Sequence, residues 1–295
     1  MKRASRGHAA RTRMRRVRTV PALRRVVAAW ARRGERVAFV PTMGAIHAGH
    51  LSLVRRAGAG ADRVVVSIFV NPLQFGPGED FRRYPRPVRR DRALLAGAGV
   101  DLLWEPSTAD LYPGEDRTRV QVRRLAETVE GASRPGHFEG VATVVIKLLN
   151  AVRPDELWLG QKDAQQARIL EQMVADLLVP VRVRRGATVR EPDGLACSSR
   201  NRYLNADQRQ HAVAVPRGLA AARRALRDGE RSAARLRTII RREWRRHAGV
   251  REDYVAVIDA RTLEPVRVIR GRVLVAVAAR VGAARLIDNF EWETR

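Results

Sequence analysis

Two histidines three residues apart, His47 and His50, lie in the segment FVPTMGAIHAGHLSLV, residues 39–54. The apolar run at its start ends at Pro41, and apolar residues return with helical spacing after Gly49, which predicts a strand, a tight loop and a helix. Backbone N–H groups at the start of a helix favour an anion, above all a phosphate. Imidazoles placed there can donate hydrogen bonds to phosphoryl oxygens as charge develops. His47 and His50 are therefore the first candidates for catalysis.

Other kinds of site fit this segment less well. A zinc site needs three or four protein ligands, and the one cysteine of the chain, Cys197, lies far along the sequence with no third histidine near His50. The segment also lacks the glycine spacing of dinucleotide-binding and P-loop motifs. A pair of surface histidines without a function is the remaining alternative.

Two amide side chains follow a second predicted strand. The run RVVVSIFV, residues 63–70, is apolar and rich in β-branched residues, as in a strand buried on both faces of a parallel sheet. Asn71 and Gln74 come directly after it, and an amide can donate to a carboxylate or accept from a hydroxyl. Ligands bind at the carboxyl ends of strands in open α/β sheets, so both amides are candidate substrate ligands. An Asn-Pro pair that only begins a turn is an equal alternative.

A third strand, predicted over residues 156–159, ends at GQKD, residues 160–163. The glycine permits close approach of a ligand, Lys162 supplies a point charge for phosphate, and Asp163 could bind a sugar hydroxyl, a polar group or Mg²⁺. Only three of the 57 basic residues are lysines, so a lysine here stands out against the arginine bias. A lysine and an aspartate that only cap a helix are the alternative.

Apolar runs alternate with helical patterns along the first two thirds of the chain. This order predicts an α/β fold, with a Rossmann-like and mostly parallel sheet over residues 17–187. Residues 131–140 and 190–201 are predicted to be loops. Arginine-rich helices and then three strand-like runs follow, which predicts a smaller α+β domain with an antiparallel sheet over residues 188–295. Residues 1–16 show no periodic pattern and are predicted to be a disordered basic tail.

The formal net charge of +26 would by itself suggest a nucleic-acid or anionic-surface partner. The arginines are spread over nearly every predicted helix, however, and aromatic residues make up 5% of the chain, so no base-stacking surface is evident. No apolar run is long enough for a signal core or a membrane span. We therefore expect a cytoplasmic enzyme without a membrane partner, and nucleic acid is not the expected ligand.

Several longer segments resemble a known family. They are PTMGAIHAGHLSLV, VVVSIFVNPLQFGPGEDFRRYPR, EGASRPGHFEGVATVV, GQKDAQQ, VREPDGLACSSRNRYL and ARLIDN, in this order between about Val20 and Asn289. Together they resemble the pantothenate synthetase (pantoate–β-alanine ligase) family, of the nucleotidyltransferases with a His-x-Gly-His loop. The resemblance implies ATP-dependent condensation of (R)-pantoate with β-alanine through pantoyl adenylate, releasing AMP and pyrophosphate. It also implies Mg²⁺ with the ATP, a C-terminal lid domain and a homodimer.

The resemblance further implies roles for individual residues. His50 would be the catalytic acid, with His47 and Lys162 as further catalytic residues. Substrate binding, to pantoate and β-alanine, would involve Gln74, Gln166, Asn71 and Tyr84. The ATP site would be formed by Met43, Gly44, Ala45, Ile46, His47, Ala48, Gly49, His50, Gly160, Gln161, Lys162, Asp163, Val189, Cys197, Ser198, Ser199 and Arg200.

Two positions depart from the usual family pattern. Gln161 stands where Gly-Glu-Lys-Asp is usual, and Cys197 stands where a methionine usually precedes Ser-Ser-Arg. Both changes bear on ligand affinity more than on activity. Another adenylyl or cytidylyl transferase with the same histidine loop is the alternative function. The sequence of residues 71–75 argues against it, because those relatives share the histidine loop and not this strand end.

Overall fold

A six-stranded parallel sheet is the framework of the first part of the chain. The computed structural model describes residues 13–294. The strands are β1 (Arg15–Val17), β2 (Val37–Thr42), β3 (Arg63–Ile68), β4 (Leu102–Trp104), β5 (Glu156–Gly160) and β6 (Arg182–Gly186). They lie in the order β1-β4-β3-β2-β5-β6, and every pairing is parallel. The strand order therefore reverses between β2 and β5, and ligands bind at such a switch point in open α/β sheets.

Helices cover both faces of this sheet. They are α1 (Val20–Arg32), α2 (Ala48–Gly60), α3 (Val88–Gly97), α4 (Thr108–Leu111), α5 (Val129–Ser133), α6 (His137–Val152) and α7 (Ala164–Asp176). Phe39 and Val65 pack into the core cluster that holds residues of α1, α6 and α7, whereas Val40 and Val66 pack into the cluster that holds residues of α2 and α3. Successive side chains of a strand point to opposite faces, so strands buried on both faces are apolar throughout. The predicted Rossmann-like sheet is confirmed.

The last third of the chain forms a three-stranded antiparallel sheet with helices on it. The helices are α8 (Ala206–Ala212), α9 (Ala214–Arg227) and α10 (Ala233–Trp244), and the strands are β7 (Val250–Asp259), β8 (Arg272–Val281) and β9 (Ala284–Glu293). The strands lie in the order β7-β8-β9. Apolar residues of α9 and α10 pack with alternate residues of β8 in one core cluster. The predicted smaller antiparallel sheet is confirmed.

Two local predictions are corrected. Strand β1 begins at Arg15 and pairs with β4, so the predicted tail over residues 1–16 overlaps the sheet; residues 1–12 lie outside the described part of the chain. The predicted loop 131–140 contains the end of α5 and the start of α6, because Gly136 with φ 79° separates two helices.

No helix among residues 13–294 is both long and apolar enough to cross a membrane.

Candidate active site

The two histidines form the start of α2 and stack on each other. His47 is the N-cap residue, and its Nδ1 accepts a hydrogen bond from the Gly49 N–H at 3.2 Å. The His50 Nδ1 accepts from the His47 N–H at 3.4 Å, so each ring caps the helix start in turn. The ring centroids are 4.0 Å apart with 27° between the planes. The loop thus fixes both imidazoles at the switch point, beside the carboxyl end of β2.

Both imidazoles are neutral at neutral pH. Burial, followed by the charge of Lys162, lowers the pKa of His47 to about 4. Burial also holds the pKa of His50 well below its usual range, with smaller contributions from His47 and Lys162. Because Nδ1 of each ring accepts a backbone N–H, we assign the ring proton to Nε2. Each ring is therefore a neutral hydrogen-bond donor held in one orientation.

Asp91, which the sequence did not single out, holds the loop before these histidines. Its carboxylate is buried and accepts from the Ala45 N–H at 2.7 Å and the Ile46 N–H at 2.8 Å. Gly44 has φ 85°, and a Cβ there would lie 3.2 Å from the Asp91 Oδ2. This close approach in the left-handed region explains the glycine. The signal available in the sequence was a lone acid in the arginine-rich run RRDR.

Asn71 is buried and orients the amide of Gln74. The Asn71 Nδ2 donates to the Gln74 Oε1 at 3.2 Å and to the Gly140 carbonyl at 3.0 Å. Its Oδ1 accepts from the Tyr112 hydroxyl at 2.7 Å. The Gln74 Nε2 in turn faces the Met43 sulfur at 3.0 Å. Asn71 therefore has protein partners on both ends of its amide and borders the histidine cavity only, whereas Gln74 borders both cavities.

The backbone of Gln74 is held by two side chains of the segment that was predicted to be a loop. The Gln74 carbonyl accepts from the His137 Nδ1 at 2.8 Å and from the Arg134 guanidinium at 3.2 Å. Burial and the charge of Arg134 lower the pKa of His137 to about 4. Arg134 also forms a bidentate pair with Glu79, with both distances 2.6 Å. The sequence showed Arg134 and His137 close together but gave no sign of their partner.

The loop after β5 carries Lys162 and leads into α7. The Lys162 Nζ lies 3.5 Å from the Asp163 Oδ1, and both side chains border the cavities described below. Gln166 follows in the first turn of α7 and faces the same space. Its neighbour Gln165 is buried and bonds protein backbone groups only, as acceptor from Glu130 and donor to Leu125 and Thr128. Of the two adjacent glutamines, Gln166 is therefore the one available to a ligand.

The segment Cys197–Arg200 forms another wall of the space that the two histidines border. The Cys197 N–H donates to the Val189 carbonyl at 2.9 Å, which pairs this segment with the chain before the turn. The Ser199 hydroxyl lies 3.1 Å from the Tyr84 hydroxyl. Arg200 forms a bidentate pair with Asp80 at 2.9 and 3.0 Å. Asp80 is a second residue that sequence reasoning missed, since nothing local links it to residue 200.

These elements enclose two adjoining cavities. The histidine cavity, of about 210 Å³, is bordered by His47 and His50. The arginine cavity, of about 200 Å³, is bordered by Arg134 and Arg285. Residues shared by both linings are Met43, Gln74, Lys162, Asp163, Gln166, Ser198 and Arg200. The histidine cavity is also lined by Gly49, Asn71, Tyr84, Gly160, Val189, Cys197 and Ser199.

Five residues of the predicted ATP site do not line either cavity: Gly44, Ala45, Ile46, Ala48 and Gln161. Ala45 and Ile46 are buried against Asp91, and Ala48 is exposed. The Gln161 Nε2 donates to the Glu291 Oε1 at 2.9 Å. Contact of these five residues with ATP stays a prediction. The Gln161 amide binds the Glu291 carboxylate instead of facing a cavity.

No group of three or more metal-ligating side chains occurs among residues 13–294. Of the carboxylates that border the cavities, four are paired with arginine: Glu79, Asp80, Glu130 and Asp288. Asp163, whose charged neighbour is Lys162, borders both cavities. A cation held mainly by ligand phosphates, with one protein carboxylate, is the kind of metal site this donor set suits.

Comparison with known proteins gives a consistent set of relatives. The sequence model of the pantoate–β-alanine ligase family matches residues 15–291. The pantothenate synthetase of Heliobacterium modesticaldum is 52% identical over 270 residues, which is 90% of this chain and 96% of that protein. That of Moorella thermoacetica is 51% identical over 275 residues, 93% of this chain and 97% of that protein.

Solved structures show the same relationship. The pantothenate synthetase of Thermus thermophilus superposes with a TM-score of 0.89 at 48% identity, over 94% of this chain and 99% of that one. The pantoate–β-alanine ligase of Francisella tularensis, complexed with an ATP compound and β-alanine, superposes with a TM-score of 0.76 at 32% identity. That match covers 94% of this chain and 97% of the Francisella chain.

Proposed function

Because this chain belongs to the pantoate–β-alanine ligase family, we propose that its two adjoining cavities form a single active site for the reaction of that family. The enzyme condenses pantoate with β-alanine in a reaction driven by ATP. The pantoate carboxylate attacks the α-phosphorus of ATP, and pyrophosphate leaves. The β-alanine amine then attacks the acyl carbon of pantoyl adenylate, losing a proton as the amide forms and AMP leaves. The observation that carries the assignment to this site is the meeting of the β2, β3 and β5 ends at the switch point.

His47 and His50 would stabilise the phosphates of ATP. Both rings have Nδ1 bonded to backbone N–H groups, which leaves Nε2–H as the donor of each. A positioned neutral donor strengthens its bond as charge develops on phosphoryl oxygen and needs no reorganisation. The low pKa of each imidazole favours this role over that of a protonated acid. We therefore propose that His50 acts in adenylate formation chiefly as a hydrogen-bond donor.

Gln74 and Gln166 would hold pantoate between the two cavities. Both amides border the histidine and arginine cavities, and the neighbouring wall of the histidine cavity is apolar, with Phe69, Val141 and Val144. A wall of this kind suits a branched aliphatic carbon chain, and amides suit its hydroxyls and carboxylate. Asn71 would act through Gln74, and Tyr84 through Ser199.

Lys162 and the segment Ser198–Arg200 would bind the polyphosphate as it becomes pyrophosphate. Lys162 borders both cavities, which suits a cation that must follow a moving phosphate. Arg200 lies across the same space, with Asp80 fixing the direction of its guanidinium. Val189 and Cys197, with Gly49 and Gly160 of the same cavity lining, would surround the nucleoside.

We propose that Mg²⁺ arrives with ATP. It would neutralise phosphate charge, and Asp163 is the carboxylate of this chain that could reach it from the cavity border. We also propose, from the family resemblance, that the enzyme is a cytoplasmic homodimer whose catalytic and lid domains divide near residue 187. Analytical ultracentrifugation tests the dimer, and a variant Asp163→Asn that needs a higher Mg²⁺ concentration for half-maximal rate tests the metal assignment.

The experiment that tests the proposed function is release of AMP from purified enzyme. ATP, pantoate and β-alanine together should give AMP in continuous turnover, while ATP and pantoate alone should give one enzyme equivalent of pantoyl adenylate and pyrophosphate. CTP in place of ATP is the control for the alternative nucleotidyl transfer. Continuous AMP release without β-alanine, or equal rates with CTP, would contradict the proposal.

A further inference from the structure

Asn289 of β9 is bonded to the backbone of the Lys162 loop. Its Nδ2 donates to the Gln161 carbonyl at 3.0 Å and to the Lys162 carbonyl at 2.8 Å. Two carbonyl acceptors use both amide hydrogens, which fixes the nitrogen on this side of the group. Asn289 is 6% exposed, so the contact is shielded from water. The segment ARLIDN, which the sequence linked to the family without a role, thus contacts the loop that carries the candidate phosphate lysine.

The preceding residue, Asp288, holds the backbone of Asn289 in place. Asp288 is buried, its Oδ1 accepts the Asn289 N–H at 2.8 Å, and Arg190 forms a bidentate pair with its carboxylate at 2.6 and 3.0 Å. Arg190 belongs to the segment that leads to the Ser198–Arg200 wall of the site. Two adjacent residues of β9 therefore contact two separate walls of the active site, one through Asn289 and one through Asp288.

We propose that Asn289 is a positioning residue for adenylate formation, which acts by fixing the backbone of Lys162. This inference rests on the proposed role of Lys162 in binding phosphate. The lysine follows β5 of the parallel sheet, whereas Asn289 belongs to the antiparallel sheet, so the two hydrogen bonds make the placement of the lysine depend on where the antiparallel sheet docks. A displacement of the loop by a fraction of an ångström is enough to lower the rate of a reaction that depends on alignment.

The structural alternative is that the amide only satisfies two buried carbonyls. Removing the amide would then lower the folded fraction or the stability, and the contribution of Lys162 to the adenylation rate would be unchanged. The two accounts differ in whether the effect of changing Asn289 depends on the presence of the lysine side chain. A double-mutant cycle measures that dependence directly.

The test is single-turnover formation of pantoyl adenylate by four proteins: the unchanged enzyme, Asn289→Asp, Lys162→Ala and the double variant. Aspartate keeps the shape of asparagine but turns an oxygen towards the two carbonyls. We expect Asn289→Asp to lower the rate at least about tenfold alone and less than about twofold in the Lys162→Ala background. Asn289→Gln, which keeps an amide, should recover part of the rate, and Asn289→Leu should repeat the loss without a new charge.

Asn205→Asp is the matched control, because Asn205 is exposed and an aspartate can still cap α8 in its place. This substitution should leave the rate unchanged. Thermal melting gives the folded fraction of each variant, and each rate is divided by that fraction. Equal fold-losses from Asn289→Asp in both backgrounds, or an unchanged rate in the single variant, would overturn the inference while leaving the role of Lys162 intact. A Lys162→Ala variant that forms adenylate at the unchanged rate would overturn both.

Discussion

The amide of Asn71 donates to the amide oxygen of Gln74 at 3.2 Å, and this contact decides which end of Gln74 faces Met43. The second hydrogen of the same Asn71 amide bonds the Gly140 carbonyl, and its oxygen accepts from Tyr112. An asparagine with all these partners is not free to bind a substrate itself. Its effect on the reaction should therefore pass through Gln74.

Gln74→Ala should weaken pantoate binding and leave ATP binding nearly unchanged, because the amide lies on the substrate side of the site. Loss of its hydrogen bonds should cost about 1–3 kcal/mol of pantoate affinity. Asn71→Ala should reduce pantoate affinity in the unchanged enzyme but add little to Gln74→Ala. Calorimetric titration with each ligand checks both statements, and a larger loss for ATP than for pantoate would contradict them.

His47→Asn separates the two tasks of this histidine. Asparagine is a good N-cap residue, so the start of α2 should persist, but the Nε2–H donor is lost. We expect the activation free energy of adenylate formation to rise by about 3 kcal/mol, which is typical when an enzyme loses one hydrogen-bond donor to the transition state. His50→Ala should give a similar loss. Pyrophosphate exchange at an undiminished rate in either variant would refute the role, and circular dichroism monitors the helix.

Lys162→Arg should lower the adenylation rate at least tenfold, about 1.4 kcal/mol of transition-state free energy. A guanidinium is broad and planar, whereas an ammonium is a compact charge that can follow a phosphate during transfer. Lys162→Met, which removes the charge and keeps most of the length, shows how much the charge itself contributes. A helix cap without a ligand would predict no loss in the arginine variant, and rapid-quench measurement distinguishes the outcomes.

Acidification should destabilise the fold before it titrates ordinary carboxylates. The pKa values of His47 and His137 lie at about 4 in the folded protein against 6.5 for an unperturbed histidine. Between these values the unfolded chain binds more protons, so the free energy of unfolding falls as the pH is lowered and is fully retained above 6.5. Urea unfolding at pH 7.5, 6 and 5 measures the decline. His47→Asn should make it shallower, and a stability that rises on acidification would contradict the assignment.

Gly140→Ala should displace the turn that carries Gln74. A Cβ at position 140 would lie 2.2 Å from the Leu73 carbonyl oxygen and 2.7 Å from the Gln74 nitrogen. We expect lower thermal stability together with weaker pantoate binding. Gly97→Ala is the matched control, since a Cβ there meets nothing within 4 Å and alanine favours a helix by up to about 1 kcal/mol. A Gly140→Ala enzyme with unchanged pantoate affinity would show that the turn adapts.

The sequence alone determined the features that are local along the chain. The strand, loop and helix around His47 follow from an apolar run, a proline and a helical period, and β2 with α2 lies where these patterns predicted. The burial of β3 on both faces follows from its continuous apolar run, because burial is recorded in residue type. The family resemblance likewise rests on contiguous segments that can be compared without coordinates.

Only the tertiary structure decided which distant residues hold the site together. Ala45 and Asp91 are 46 residues apart in sequence, and Asn289 lies 127 residues from Lys162. A buried carboxylate or amide shows no local period, and its partner is set by how sheets and helices pack. The same reason explains the error over residues 131–140: the chain there looks like a loop, but packing against Gln74 extends α6 back to His137. Patterns along the chain predict its elements, whereas contacts between elements orient the side chains that act on a substrate.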